Sequence, residues 1–192
     1  MKSPFVLTLA LALAACSGAD GNAPTETTTV ADATVPEADV PPLTDAPTTP
    51  VDAAGYIAKA GAGDMWEIES SKALLAKSAN ADVKAFAQMM IDHHGKSTAK
   101  VEAAAEEAKI TVTPPKLGSA QQTTLNEIEA ADAADIDAVY LGHQKSAHDA
   151  ALALHQGYAS GGDTASLKKA AREIIPVVEA HRTELSKIMS KS

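Results

Sequence analysis

Apolar side chains recur at spacings of three, four and seven along most of the chain, the period of helices that bury one face. Val83, Ala87, Met90, His94, Val101, Ala105 and Ala108 form the clearest stripe. They predict a helix from about Ala81 to Ala108, capped by Asn80 or Asp82. A helix from about Ala53 to Ser78 precedes it, with Ile57, Met65, Ile68, Leu75 and several alanines as apolar members. Gly61 and Gly63 are expected to loosen its first half. Thr113-Pro114-Pro115 is a strong stop, after which a short helix spans about Ser119 to Ala130. The third long helix runs from about Asp135 to Ser160. It sets Tyr140, Leu141, Gln144, His148, Ala151, Leu152, His155 and Tyr158 on one broad side, and Gly161-Gly162 ends it. Asp163 or Thr164 opens the last helix, which reaches about Met189 on a stripe of Leu167, Ala171, Ile174, Val178, His181, Leu185 and Ile188. Pro176 lies inside that helix and predicts a kink.

Two helical hairpins with tight turns, joined by a connection of about two dozen residues, predict an all-α four-helix bundle with one long crossover containing a short helix. A faint internal repeat agrees: a shift of 84 pairs Tyr56-Ile57 with Tyr140-Leu141, Val83-Lys84 with Leu167-Lys168, and Ala87 with Ala171. Composition sharpens the picture. Aromatic residues make up 3% of the chain while alanine is abundant, which favours closely packed helices over a β-sandwich.

The predicted bundle, residues 53–192, accounts for only part of the chain. The first sixteen residues, MKSPFVLTLALALAAC, place Lys2 before an apolar run from Phe5 to Ala15 that is too short to span a bilayer. The ending Leu13-Ala14-Ala15-Cys16 resembles a bacterial lipobox. That resemblance implies a signal peptide over residues 1–16 and lipidation of Cys16, which is also the only cysteine. Ser17 follows it, and similar Gram-negative lipoproteins without Asp there go to the outer membrane. An ordinary secretory signal with a chance cysteine is the competing reading. Residues 17–52 are rich in Pro, Thr and Ala, hold seven acidic residues and no Lys or Arg, and are expected to form a disordered tether. The formal net charge is −9, and no basic patch of the kind nucleic-acid binding needs is present.

The six histidines carry the candidate chemistry. Within Asp92-His93-His94, His94 falls on the buried stripe and His93 is turned about 100° toward the edge. His148 and His181 also lie on core-facing stripes. The first helix offers Glu69, counted from Met65, with Glu67 as the competing choice on a different face. If the crossover returns the chain to the end where the second helix began, Glu69, His94, His148 and His181 fall within about 6 Å along the bundle axis. One carboxylate and three imidazoles suit a single Zn, Cu or Fe ion, with Glu67 and His93 as alternates. The competing reading is a buried His–Glu hydrogen-bond network with no ion. His143 and His155 are expected to ring the site or face solvent, and Met65, Met89 and Met90 to fill the core. Asp137 and Tyr140 are candidates for a polar contact at the start of the third long helix, behind the site.

These residues resemble the bacterial domain-of-unknown-function 4142 family of envelope proteins, which is grouped with the ferritin-like superfamily. The resemblance rests on Glu67-Ile68-Glu69-Ser70-Ser71, on Val83 to Met90 leading into His93-His94, on Ile136-Asp137-x-x-Tyr140 with His148, and on Ile175-Pro176 with His181. It covers about Val51 to Lys191 and implies the fold and an envelope location without an activity. The family usually has Asp-His where this chain has His93-His94. Ferritin-like di-iron proteins carry Glu-x-x-His on two helices. Here Ile91 and Val178 stand three residues before His94 and His181, so a mononuclear site is what the core can hold. Two functions compete: a lipid-anchored metal-binding bundle, and a non-enzymatic interaction or stress-related envelope protein whose polar core is structural. No nucleophile–base pair, phosphate loop or paired-carboxylate motif argues for an enzyme.

Overall fold

A computed structural model describes residues 52–191, which contain five helices and no strand. The signal segment 1–16, Cys16 and the tether over 17–52 lie outside the described residues, except for Asp52. The helices are α1 (Ala53–Lys77), α2 (Ala81–Glu107), α3 (Ser119–Ala130), α4 (Ile136–Gly161) and α5 (Ala165–Met189).

Local chemistry sets most of these limits. Asp52 caps α1 by accepting from Gly55 N at 2.7 Å, and Asn80 caps α2 by accepting from Asp82 N and Val83 N. The α2 helix ends where Lys109 takes a left-handed conformation, with φ of 58°. At the far end of α1, Lys77 Nζ donates to the carbonyls of Glu129 and Ala131, at 2.5 and 2.7 Å, and ties that end to the end of α3. The α5 helix runs unbroken through Pro176, which lies on its exposed side.

Pairings across the bundle fix the topology. Tyr56 meets His155 while Ser71 meets Tyr140, so α1 and α4 are antiparallel. Ser166 meets the Ala104 carbonyl while Lys191 meets Asp82, so α2 and α5 are antiparallel as well. Both hairpins are antiparallel by their tight turns. The order is therefore up, down, down, up, and residues 108–135 carry the chain back along the bundle with α3 packed on α1 and α4. Gly61 lets this crossover pass: a Cβ there would sit 3.1 Å from Pro115 Cβ.

The core is built in three storeys. One apolar cluster holds Tyr56, Ile57, Val101, Tyr158, Leu167 and Ile174. The other holds Trp66, Leu74, Phe86, Met90, Tyr140 and Leu185. Between them runs a buried polar belt of Asp64, Glu67, His94, Gln144, His148 and His181. A core accepts such a belt only where its polar atoms are paired.

The α4–α5 turn is the tightest point of the fold. Tyr158 stacks on Tyr56 with centroids 4.0 Å apart and donates to Asp163 at 2.9 Å. A Cβ on Gly162 would lie 2.6 Å from the Tyr158 carbonyl oxygen and 2.7 Å from its ring. Gly162→Ala is therefore expected to destabilise by about 1–3 kcal/mol, read as a lower urea midpoint at unchanged m-value.

Candidate metal centre

Each element of the bundle contributes to the polar belt from one face. On α1 the buried positions include Tyr56, Ala60, Asp64, Glu67, Ser71 and Leu74, at spacings of three or four. Met65, Ile68 and Leu75 are only partly buried. Glu69 is corrected accordingly: it points to solvent and pairs with Lys72 at 2.8 Å. Glu67, on the competing face, is 3% exposed and reaches the histidines. On α2, His94 is buried and His93 half-buried, as the stripe required. His148 on α4 and His181 on α5 are both buried.

The three inner imidazoles meet at one level. One ring nitrogen from each of His94, His148 and His181 lies within 4.8 Å of the others. Ring centroids are 5.3 Å apart for His148–His181, 5.4 Å for His94–His181 and 5.9 Å for His94–His148. His148 Nε2 and His181 Nδ1 are separated by 3.2 Å. Nitrogens on one tetrahedral zinc ion stand about 3.3 Å apart, given Zn–N bonds of about 2.0–2.1 Å.

The outward ring nitrogens are held from behind. His94 Nδ1 is 2.7 Å from Asp64 Oδ1, and Thr98 Oγ1 donates to Asp64 Oδ2 at 3.0 Å. His148 Nδ1 donates to the Gln144 carbonyl at 2.9 Å and has Glu67 Oε1 at 3.4 Å. Gln144 Nε2 in turn donates to Glu67 Oε2 at 2.6 Å. A carbonyl can only accept, so the His148 proton sits on Nδ1 and its Nε2 accepts from His181 Nδ1. His181 Nε2 then accepts from His93 Nδ1, at 2.8 Å. Within the belt two buried atoms are left over: His94 Nε2 and Gln144 Oε1 have no hydrogen-bond partner.

Burial and neighbouring charge set the protonation. Burial depresses His181, and the nearby His94, His148 and His93 add to it, bringing its pKa to about 2 and keeping the ring neutral. Burial also opposes charge on His94, but the Asp64 hydrogen bond and the negative charges of Glu67 and Asp64 outweigh it and raise its pKa. Neutral imidazole with a carboxylate at its far nitrogen is the usual arrangement of a metal-binding histidine.

The remaining candidates fall outside this set. His143 is part-exposed and pairs with Glu127 at 2.9 Å. His155, expected at the rim or in solvent, is buried one apolar storey away, where its Nδ1 and Tyr56 Oη share a hydrogen bond of 2.9 Å. Burial lowers its pKa to about 4. Tyr140 makes its polar contact with Ser71 Oγ, at 2.8 Å. Asp137 is partly buried, and its Oδ1 has no partner. Met90 fills the core, while Met65 and Met89 are half-buried. Asp64 was not among the residues singled out from the sequence. Its signal was its place on the Tyr56–Ala60–Glu67–Ser71 stripe, three and four residues from its neighbours.

Among curated proteins none matches this sequence. The solved structures it is similar to include a DUF305 fragment from Deinococcus radiodurans, with TM-score 0.64 and 10% identity over 73% of this chain and 96% of that one. A DUF305 protein from Streptomyces coelicolor gives TM-score 0.60 and 12% identity over 73% and 93%. At such identities the likeness speaks to the helical fold alone. The sequence profile of the domain of unknown function DUF4142 matches residues 38–188, and the chain belongs to that family.

Proposed function

We propose that this protein is a lipid-anchored envelope protein whose bundle holds a single transition-metal ion, Zn, Cu or Fe, between His94, His148 and His181. Asp64 and Glu67 stand behind the ligands, and Glu69 has no part. The observation that carries this reading is His94 Nε2: a buried ring nitrogen without a partner, facing two other imidazoles whose remaining nitrogens are already engaged. An unpartnered polar nitrogen in a core is costly unless something engages it. All-imidazole donors suit borderline divalent ions, and Gln144 Oε1, one turn before His148 and also unpartnered, is available as a further oxygen donor. Anchoring at Cys16 and the ferritin-like kinship implied by the family resemblance belong to the same reading.

The purified chain is expected to bind one equivalent of Co(II) with the visible spectrum of a low-coordinate, nitrogen-ligated ion, and Zn(II) should displace it. At a hundredfold excess over Kd the ion should raise stability by about 2.7 kcal/mol. His148→Ala should abolish both effects and Glu69→Ala neither. Affinity should fall as pH drops, because a proton on His94 competes with the metal. Absence of cobalt binding by the unaltered chain at micromolar excess defeats the reading.

One observation favours a second reading, an interaction protein with a purely structural belt. Most polar atoms of the belt are already partnered without an ion. In that case surface substitutions would abolish partner capture, and His148→Ala would alter stability alone.

A further inference from the structure

One groove on the surface reaches the buried histidines. A shallow groove of about 690 Å³ runs between α2 and α5 and is lined by Met89, His93, Pro176, Val177, His181 and Glu184, among others. His181 is 1% exposed and forms its floor. His93 lies over it: the two rings stack with centroids 5.1 Å apart and planes 19° apart, joined by the 2.8 Å bond between His93 Nδ1 and His181 Nε2. His93 is half-buried and lines the groove beside His181.

The geometry points to His93 as a transfer ligand that takes the metal ion from the groove and hands it to the buried triad. This inference rests on the metal reading above and adds the route and the residue that controls it. The donors follow one another: His93 at the groove, His181 bonded to it at 2.8 Å, and His148 Nε2 at 3.2 Å from His181 Nδ1. Met89, one helical turn before His93, brings a thioether to the same wall, and Glu184 brings a carboxylate. Both are donors that an ion shedding its water can use on the way in. The lid is light. One hydrogen bond and one ring stack hold His93 over His181, and a side-chain rotation at the helix surface is fast compared with unfolding. With the ion in place, His181 Nδ1 would serve as a ligand: its proton would move to Nε2, and His93 would shift its own proton from Nδ1 to Nε2 so that its Nδ1 accepts.

Three versions of the chain, mixed rapidly with Co(II) and followed by absorbance, test this. In His93→Asn the amide can keep the hydrogen bond to His181 while the second ring nitrogen is lost. Association and dissociation rate constants are both expected to fall about tenfold with Kd within about twofold, because a transfer ligand changes the path and not its ends. Val177→Trp, which fills the groove from an exposed position, should slow both rates while leaving one equivalent bound. Ala138→Trp, in the separate groove beside His143, should change nothing. Unchanged or faster rates in His93→Asn overturn the proposal. So does an affinity loss of about 10–100-fold at an unchanged association rate, the mark of a residue that only steadies a ligand. Failure of the unaltered chain to bind cobalt is a different result, and it removes the site itself.

Discussion

His94→Ala is expected to cost the metal-free protein about 3–5 kcal/mol, against less than about 0.5 kcal/mol for Glu69→Ala. The difference follows from what each change leaves behind. Asp64 is 4% exposed, and its two oxygens are engaged by His94 Nδ1 and Thr98 Oγ1. Removing the imidazole strands a carboxylate in the core with one hydroxyl for company. Glu69 loses only an exposed contact with Lys72, which solvent screens. Pairing His94→Ala with Asp64→Leu should recover part of the loss, because an apolar pair leaves no stranded charge. Urea unfolding of the parent and these three variants in chelator checks this. A His94→Ala chain within about 1 kcal/mol of the parent would show that the Asp64–His94 bond does not hold the belt together.

The same two residues explain what was legible beforehand. Helix limits were readable almost to the residue, because they depend on local chemistry: Asn80 as a cap of α2, and Gly162 just past the end of α4, where no Cβ fits. The crossover followed from loop lengths, and the buried faces of α2, α4 and α5 followed from their apolar stripes. On α1 the same rule misled. Its core face carries Asp64, Glu67, Ser70 and Ser71, while Met65, Ile68 and Leu75 sit at the margins. Hydrophobic periodicity assigns faces by assuming that the core is apolar, and here the middle storey is not. Counting from Met65 therefore selected Glu69 in place of Glu67 and passed over Asp64. Register on one helix cannot reveal that its polar face is completed by imidazoles from three others. That pairing is a property of the assembled bundle.

The buried histidines also set how the fold responds to acid. Stability is expected to fall steeply as pH drops from 6.5 toward 4. His155 has a folded pKa of about 4, against 6.5 for an unperturbed ring. Its contribution is fully present above 6.5 and is lost as pH falls to about 4, because over that window the unfolded chain takes up a proton that the folded one refuses. The difference amounts to about 3 kcal/mol. His181, at about 2, acts in the same direction and carries the loss to lower pH. His94 has the opposite sign: its raised pKa gives stability that is complete below 6.5 and is lost only as pH rises through its folded value. It therefore offsets none of the further fall below 6.5. Urea unfolding of the metal-free chain at pH 7, 6, 5 and 4.5 should show a slope approaching about 2.7 kcal/mol per pH unit from the two rings together. His155→Phe should halve that slope, although it lowers stability at pH 7 by leaving the Tyr56 hydroxyl without its partner. An unfolding free energy that stays flat between pH 6.5 and 4.5 would mean that these rings take up protons in the folded state as readily as in water, and that the core around His155 and His181 is not closed.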